Sequence, residues 1–313
     1  MTVDTPITPF ETKRAAALDE SEPDARWLIQ SLWADSGVGV IGGTPKSYKS
    51  WLGLEIACAV ASGTPCLGHF EVPRAGPTLV YLAEDDLSEV RIRLDHLAAA
   101  RGLSIDQLDV HVICAPTVRL DLERDLKRLA KTVAQIGPRF LLLDPFVRLH
   151  RLDENNASDI SHILGHLRTI QRTHDTAVCV VHHTRKSSSS GQRGQALRGS
   201  GDMHAWGDSN LYLTWTKKGL ELSVEHRSAP CPDPLYVDLD CGAHPHLELV
   251  EPDDNEPPPL TERVLSELRN LDQPITRTRL REKLAVQNKR LGDALKELES
   301  LGRIQRTTDG WQI

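Results

Sequence analysis

Residues 37–53 of this 313-residue chain read GVGVIGGTPKSYKSWLG. Val38, Val40 and Ile41 form a short apolar run that is typical of a buried strand, and the glycines that follow predict a turn. Residues 51–62 continue with apolar side chains at helical spacing. A strand, a glycine turn, a Lys-Ser pair and a helix predict a nucleotide triphosphate site, because backbone N–H groups of the turn and the helix start converge on the phosphates.

Nine consecutive residues are the predicted contacts to that nucleotide: Gly43, Thr44, Pro45, Lys46, Ser47, Tyr48, Lys49, Ser50 and Trp51. Lys49 can extend to the β and γ phosphates, and the Ser50 hydroxyl can be a ligand of Mg²⁺. The usual pattern, G-x-x-x-x-G-K-[ST], has a glycine where this chain has Tyr48, so Tyr48 must adopt a backbone conformation that glycine takes freely. The alternative is a glycine turn followed by an ordinary amphipathic helix.

The composition is that of an ordinary globular protein, with 39% hydrophobic and 26% charged residues. The net charge of −7 argues against a surface that binds polyanions generically. Six scattered cysteines indicate reduced thiols and a cytoplasmic location. The polar, acidic N-terminus argues against a signal peptide, and the lack of an apolar run of about 18 residues argues against a membrane span.

A second apolar strand is predicted at residues 77–82, and acidic residues follow it directly. A carboxylate at this edge can polarise the water that attacks the γ phosphate, and we assign that role to Glu84. Asp86 is expected to cap a helix over residues 87–100. The alternative is a charged strand-to-helix turn without catalytic function, in which Asp85 or Asp86 caps that helix. Two arginines of the helix, Arg91 and Arg93, are expected to be solvated, with a contact to the nucleotide base or phosphates as the alternative.

Two more predicted strands end in residues with phosphate or metal chemistry. Residues 139–145, RFLLLDP, end at Asp144, which we expect to hold Mg²⁺. Residues 176–181, TAVCVV, are followed by His182 and His183, either of which can detect the γ phosphate. If the strands are parallel, Glu84, Asp144 and the histidines converge beside the phosphate loop. A pair of strand-end histidines without a ligand is the alternative.

The segment after this strand, residues 185–201, is rich in serine and glycine. It has no acidic residue and carries Arg185, Lys186, Arg193 and Arg198. We expect it to contact a nucleic-acid backbone, with a solvated linker as the alternative. Further along, apolar and polar residues alternate as in antiparallel or edge strands over residues 211–215, 220–225, 235–239 and 247–250. A zinc site formed by Cys231, Cys241, His244 and His246 is disfavoured, because their spacing matches no common metal frame.

The composition changes along the chain predict four regions. They are a flexible tail at residues 1–24, a nucleotide-binding domain at 25–250, an acidic proline-rich linker at 251–259 and a small domain at 260–313. The small domain has helical patterns over 261–270, 276–284 and 287–301 and a hairpin over 303–313. Three helices and a hairpin predict a winged helix-turn-helix.

The predicted winged helix-turn-helix has eleven basic and eight acidic residues, a net charge of +3. Its basic side chains surround the second helix and the start of the third, where a recognition helix faces phosphates, and they include Lys289 and Arg290. Duplex DNA is therefore its expected partner. Because winged helices also dock proteins, a protein partner is the alternative.

Taken together, these motifs resemble the RecA-like P-loop ATPases of the RepA type, a group that contains hexameric plasmid replicative helicases. The resemblance covers residues 27–227 and rests on GGTPKSYKS, VYLAED, LLLDPFVRLH, DENNAS, VVHHTRKS and ALRGS in that order. It implies an α/β fold with a mainly parallel sheet flanked by helices. It also implies that ATP and Mg²⁺ are the cofactors.

The same resemblance implies roles for single residues. Lys49 and Ser50 would bind phosphate and Mg²⁺, with Glu84 as catalytic base, Asp144 as the Walker B aspartate and His183 or His182 as sensor. The loops after Asp144 and His183 would line a nucleic-acid channel. In related ring helicases an arginine finger from the neighbouring subunit lies in a K-x-R sequence, which here becomes Glu225-His226-Arg227. Arg227 fits this pattern, whereas the lysine is missing.

The leading hypothesis is a homo-oligomeric ATPase, a hexamer, that moves on or remodels DNA in the replication of a plasmid or other mobile element. Single-stranded DNA would pass the core loops, and duplex DNA would bind the winged helix. One rival is an ATP-switched DNA-binding regulator without helicase activity. A second rival, a small-molecule kinase, would need an arginine-rich lid, and the Ser/Gly segment and the appended domain argue against it.

Overall fold

The computed structural model of the chain describes residues 10–17, 26–154, 156–183, 201–252, 260–269, 274–284, 286, 288–307 and 310–312. The chain divides into two compact units. Unit 1 is Met1–Trp215 with Leu220–Val250, and unit 2 is Thr216–Gly219 with Glu251–Ile313. Most of the predicted tail and linker, and all of residues 184–200, lie outside the described residues.

Unit 1 alternates strands and helices over most of its length. Its elements are β1 (Trp27–Ile29), β2 (Trp33–Ala34), β3 (Val38–Gly43), α1 (Lys49–Ser62), β4 (Thr78–Leu82), α2 (Leu87–Ala100), β5 (Val110–Val112), α3 (Glu123–Ile136), β6 (Phe140–Asp144), α4 (Ala157–His174), β7 (Ala177–His183), α5 (Gly201–Trp206), β8 (Ser209–Thr216), β9 (Gly219–His226), β10 (Leu235–Asp240) and β11 (His246–Val250).

Nine of these strands form one sheet in the order β11-β10-β9-β8-β3-β7-β6-β4-β5. The strands from β8 to β5 pair in parallel, whereas β9, β10 and β11 pair antiparallel at the other side. This confirms the predicted α/β fold with a mainly parallel sheet. The antiparallel or edge prediction holds for β9, β10 and β11, whereas β8, which contains residues 211–215, lies inside the sheet and pairs in parallel with β3. Side-chain alternation has a period of two in both kinds of strand and cannot distinguish their direction.

Helices cover both faces of the sheet because side chains of β3 alternate between two cores. Ile41 packs with buried residues of α1 and α2. Val38 and Val40 face the other way and pack with α3 and α4. Before β3, Trp27 and Trp33 of the β1–β2 hairpin are buried. The central strands are thus held between two helical layers, and their carboxyl ends form one edge.

Unit 2 has three helices and a two-stranded sheet. Its elements are α6 (Leu260–Arg269), α7 (Arg277–Leu284), α8 (Asn288–Ser300), β12 (Gln305–Arg306) and β13 (Trp311–Gln312). The two strands are antiparallel, and Leu280, Leu291 and Trp311 are among the side chains of its apolar core. Thr276 accepts a hydrogen bond from the backbone N–H of Arg279, as expected for a residue at the start of α7.

Throughout the described ranges of the chain, no helix combines the length and the apolar character that a bilayer crossing requires.

Candidate nucleotide-binding site

The carboxyl ends of β3, β4, β6 and β7 meet at one edge of the sheet. Gly43 lies opposite His183 in the β3–β7 pair, and Leu82 lies opposite Asp144 in the β4–β6 pair. The edge opens into a cavity of about 530 Å³. Its lining includes Lys49, Ser50, Glu84, Asp85, Arg93, Asp144 and His183. The predicted convergence of three strand ends beside the phosphate loop is therefore present in the fold.

The phosphate loop contains two residues with positive φ, Lys46 at 63° and Tyr48 at 59°. Tyr48 stands directly before α1 in the left-handed region, which confirms the conformation predicted from the missing glycine. Gly43, at the start of the loop, is tightly surrounded, because a Cβ atom there would lie 2.5 Å from Ser47 Oγ and 2.7 Å from the carbonyl oxygen of Leu213. Tyrosine is thus accommodated before the lysine, whereas Gly43 has no room for a side chain.

Lys49 projects into the loop that precedes it. Its Nζ donates a hydrogen bond of 2.7 Å to the carbonyl oxygen of Thr44, which also accepts one of 2.8 Å from Ser47 Oγ. Burial lowers the pKa of Lys49 to about 8, and the nearby Asp144 carboxylate opposes this shift. The buried ammonium group therefore has strong attraction for an added anion, because little water screens it.

Asp144 is buried at the end of β6, with 4% of its surface exposed. Burial raises its pKa to about 6, and the hydrogen bond from Ser50 opposes the shift. Asp85 and Glu84 also raise this pKa, and Lys49 lowers it. The second carboxylate oxygen, Oδ2, receives no hydrogen bond from any residue that the structure describes.

An unsatisfied buried carboxylate oxygen beside a serine hydroxyl fits Mg²⁺, which prefers oxygen ligands. In the described part of the chain, no group of three or more His, Cys, Asp or Glu side chains is arranged to hold a metal ion. The cysteines and histidines that follow β9 are among the side chains searched. Mg²⁺ at a nucleotide usually needs only one or two protein ligands, because phosphates and water supply the rest. Ser50 and Asp144 are therefore sufficient candidates.

Glu84 lies just beyond β4 with 47% of its side chain exposed. Its Oε1 atom is 2.5 Å from Nε of Arg148, which belongs to a short 3₁₀ turn after β6, Phe146–Arg148. The carboxylate at the predicted general-base position is thus paired with an arginine from the neighbouring strand end.

Asp85 and Arg93 form a second ion pair inside the cavity. Arg93 donates two hydrogen bonds, of 2.9 and 3.0 Å, to the Asp85 carboxylate, and its guanidinium carbon lies 5.7 Å from the centre of the Trp51 ring. The expectation that Arg93 is solvated is therefore wrong. Asp86 occupies the predicted N-cap position of α2, but its side chain makes no capping hydrogen bond among the described residues, and Asp85 faces Arg93 instead.

The sequence contained a signal for this pair that our prediction missed. Arg93 follows Asp85 by eight residues, about two helical turns, which brings an arginine of α2 back over the residues that precede the helix.

The two histidines at the end of β7 face different surroundings, because adjacent side chains of a strand point to opposite faces. His183 lines the cavity. His182 is buried, with its ring 6.1 Å from that of Phe146 and its Nδ1 atom 3.7 Å from Glu154. Of the two sensor candidates, only His183 is therefore at the phosphate loop.

Arg227 lies at the opposite edge of the sheet. It is 3.5 Å from Asp208 and donates to the carbonyl oxygen of Ala205. Asp208 in turn bonds Val38, the first residue of β3. Within one chain, the structure therefore does not bring Arg227 to the cavity.

The predicted nucleic-acid contacts are Arg185, Lys186, Arg193, Arg198, Lys289 and Arg290. The first four lie outside the described residues, and of the last two only the backbone, in α8, is described.

The chain is similar to known proteins in its sequence and in its fold. The chain matches the family described as "AAA domain" over residues 5–189. A solved structure of the RadB recombinase is similar with a TM-score of 0.52 and 18% identity, over 70% of this chain and 93% of that one.

A KaiC-like protein from the hyperthermophilic archaeon Pyrococcus horikoshii OT3 has a TM-score of 0.47 and 12% identity, over 72% of this chain and 94% of that one. The RadB similarity concerns the fold alone. Because the family match spans more than half of the chain, the protein belongs to the AAA domain family, with a RecA-like P-loop fold.

Proposed function

We propose that the protein is a Mg²⁺-dependent ATPase that moves on or remodels DNA in the replication of a plasmid or other mobile element. The observation that carries the proposal is one cavity lined by Lys49, Glu84, Asp144 and His183 beside a phosphate loop. A P-loop cation, a carboxylate for the attacking water, a metal ligand and a γ-phosphate contact are the parts that phosphoryl transfer to water requires.

In this proposal the phosphates bind the loop N–H groups and the start of α1, and Lys49 exchanges its contact with Thr44 for the β and γ phosphates. Ser50 and Asp144 would hold Mg²⁺. The metal ion would neutralise the charge that develops on the phosphate oxygens. Glu84 would take the proton of the attacking water, and His183 would hydrogen-bond the γ phosphate and lose that bond after hydrolysis.

Arg227 enters the proposal only through a second copy of the chain. Its position at the edge opposite the phosphate loop is consistent with a contact to a neighbouring subunit's nucleotide in a closed ring, which we propose to be a hexamer. An arginine finger supplied in this way is worth about 10³ or more in rate. Its contacts with Asp208 and Ala205 would then be exchanged for the neighbour's γ phosphate.

Unit 2 supports a second contact with DNA. Arg277, Arg279 and Arg281 are exposed on α7, and α8 follows as the candidate recognition helix of a winged helix-turn-helix. Duplex DNA is the proposed partner of this unit, and single-stranded DNA is the proposed partner of the loops that follow Asp144 and His183.

An ATP-switched DNA-binding regulator is the second candidate, and the position of Arg227 is the observation that favours it. Arg227 lies away from the cavity of its own chain, and a site without an arginine finger would bind ATP and turn it over slowly. Such a protein would bind duplex DNA in an ATP-dependent manner without strand separation or DNA-stimulated hydrolysis.

The decisive experiment measures steady-state ATP hydrolysis with Mg²⁺, with and without single-stranded DNA, and the mass of the ATP-bound assembly. We expect stimulation by DNA, a hexamer mass and a loss of at least about 100-fold in rate for Lys49→Ala. Lys131→Ala, an exposed lysine of α3, is the matched control and should hydrolyse ATP normally. Full activity of Lys49→Ala would contradict the phosphate-site assignment, and binding without DNA stimulation would favour the regulator.

A further inference from the structure

Arg148 connects the candidate base to a loop that faces outward. Its Nε atom lies 2.5 Å from Glu84 Oε1, and 62% of the Arg148 side chain is exposed, against 47% for Glu84. The two residues follow β6 and β4, which are neighbours in the sheet. The contact is thus made at the mouth of the cavity, where a large ligand can reach the arginine.

The backbone around Arg148 is held in place independently of this ion pair. Arg119 donates hydrogen bonds to the carbonyl oxygens of Arg148 and His150, and the backbone N–H of Leu120 donates to Leu149 at 2.6 Å. Phe146 is fully buried. The ion pair between Arg148 and Glu84 can therefore open and close while the backbone of the loop keeps its conformation.

Arg148 donates a hydrogen bond to Oε1 of Glu84 and so occupies a carboxylate oxygen that would otherwise accept the proton of the attacking water. Exposed ion pairs are weak, so a ligand with several negative charges can compete for the arginine. Guanidinium groups bind phosphate through two parallel hydrogen bonds, which makes a nucleic-acid backbone an effective competitor.

From this geometry we infer that Arg148 restrains Glu84 in the absence of nucleic acid, and that a phosphate of a bound strand withdraws Arg148 and releases the base. This inference rests on the proposed function and adds its regulation. Arg148 follows β6, which lies between β7 and β4 in the sheet, so the exposed arginine stands at the same sheet edge as the phosphate loop.

The test compares ATP hydrolysis by wild type and Arg148→Ala with and without single-stranded DNA, together with DNA affinity. In the variant we expect the rate without DNA to rise about twofold to fivefold at unchanged KM, and DNA to stimulate it little. Arg172→Ala, which removes an exposed arginine of α4 far from Glu84 in sequence, is the matched control and should behave as wild type. Arg148→Lys should keep part of the restraint.

The inference would be overturned if Arg148→Ala hydrolysed ATP without DNA at the wild-type rate or more slowly. Arg148 would then be neutral for catalysis or would assist it. Full DNA stimulation of Arg148→Ala would overturn it as well. If wild type hydrolyses ATP but does not respond to DNA, the proposed function fails, and the release step fails with it. A raised Arg148→Ala rate in that case would still support the restraint of Glu84, so the two failures are distinguishable.

Discussion

The ring of Tyr48 packs edge to face against Trp215, with the ring centroids 6.1 Å apart and an interplanar angle of 68°. Tyr48 has the positive φ that the loop requires, and Trp215, the second-last residue of β8, is half exposed. A left-handed conformation costs a residue with a side chain about 1–2 kcal/mol, and an aromatic pair contributes about 0.5–1.5 kcal/mol beyond its buried area. The ring contact therefore offsets much of the backbone strain.

This relationship predicts an unusual order of stability at position 48. Tyr48→Gly loses the ring contact but relieves the strain, whereas Tyr48→Ala loses the contact and keeps the strain. We expect Tyr48→Ala to be less stable than Tyr48→Gly by about 1 kcal/mol, although alanine is favoured over glycine in helices. Urea denaturation of both variants, with Trp215→Ala as a control for the ring contact, checks this order. Equal or reversed stabilities would show that the backbone at Tyr48 is unstrained.

Glu84→Gln tests the general-base assignment. The amide keeps the size of the side chain but cannot take a proton, so we expect the hydrolysis rate to fall by about 10²–10⁴-fold. ATP affinity should change little, because Glu84 lines the cavity without contacting the phosphate loop in any described hydrogen bond. Glu89→Gln, an exposed glutamate of α2, is the matched control. Retention of the wild-type rate by Glu84→Gln would remove Glu84 from the mechanism.

Asp144→Asn is expected to stabilise the ligand-free protein while it weakens the Mg²⁺ site. Burial raises the pKa of Asp144 from 3.8 to about 6, so stability is lost as pH rises through this range and the buried group ionises. The asparagine variant has no such loss. We expect its free energy of unfolding to exceed that of wild type by about 1–3 kcal/mol near pH 8, and this advantage to be about 1 kcal/mol smaller near pH 5.

Denaturation at both pH values without Mg²⁺ or nucleotide provides the measurement for Asp144→Asn. Titration with Mg²⁺ and ATP should then stabilise wild type more than the variant, because binding to the folded state adds to its stability. A variant that is less stable than wild type near pH 8 would contradict the cost that we attribute to the buried carboxylate.

The Asp85–Arg93 pair predicts a charge effect on nucleotide affinity. Arg93→Ala leaves Asp85 unpaired in a cavity that already contains Asp144 and Glu84, so we expect affinity for Mg²⁺–ATP to fall by about tenfold, or about 1.4 kcal/mol. Asp85→Asn added to Arg93→Ala should restore part of the loss. Arg91→Ala is the matched control, because Arg91 pairs with Asp95 away from the cavity lining. Calorimetric titration would measure the four affinities, and unchanged affinity for Arg93→Ala would contradict this account.

Much of the site was predictable because its residues follow local patterns. An apolar run that ends in a charged residue indicates a buried strand end, and parallel strands bring their carboxyl ends together. Glu84, Asp144 and the pair His182 and His183 were placed at this edge in this way, and the conformation of Tyr48 followed from the residue that the loop normally requires.

Other features depend on distances that no local pattern contains. Arg93 reaches Asp85 from within a helix, and Arg148 reaches Glu84 from a different strand end. The direction of β8 and the position of Arg227 at the far edge follow from how the strands are arranged in the sheet. Sequence spacing left His182 and His183 as equal candidates, and the face of β7 that each side chain occupies separated them.

By itself, the sequence determined the phosphate loop, the order of strands and helices and the residues at the strand ends, because glycine, charge and hydrophobic periodicity act over a few neighbouring residues. Only the tertiary structure decided which charges meet across those strand ends. Ion pairs such as that of Glu84 with Arg148 depend on sheet order and on the exposure of each side chain, and both arise only when separate segments pack together.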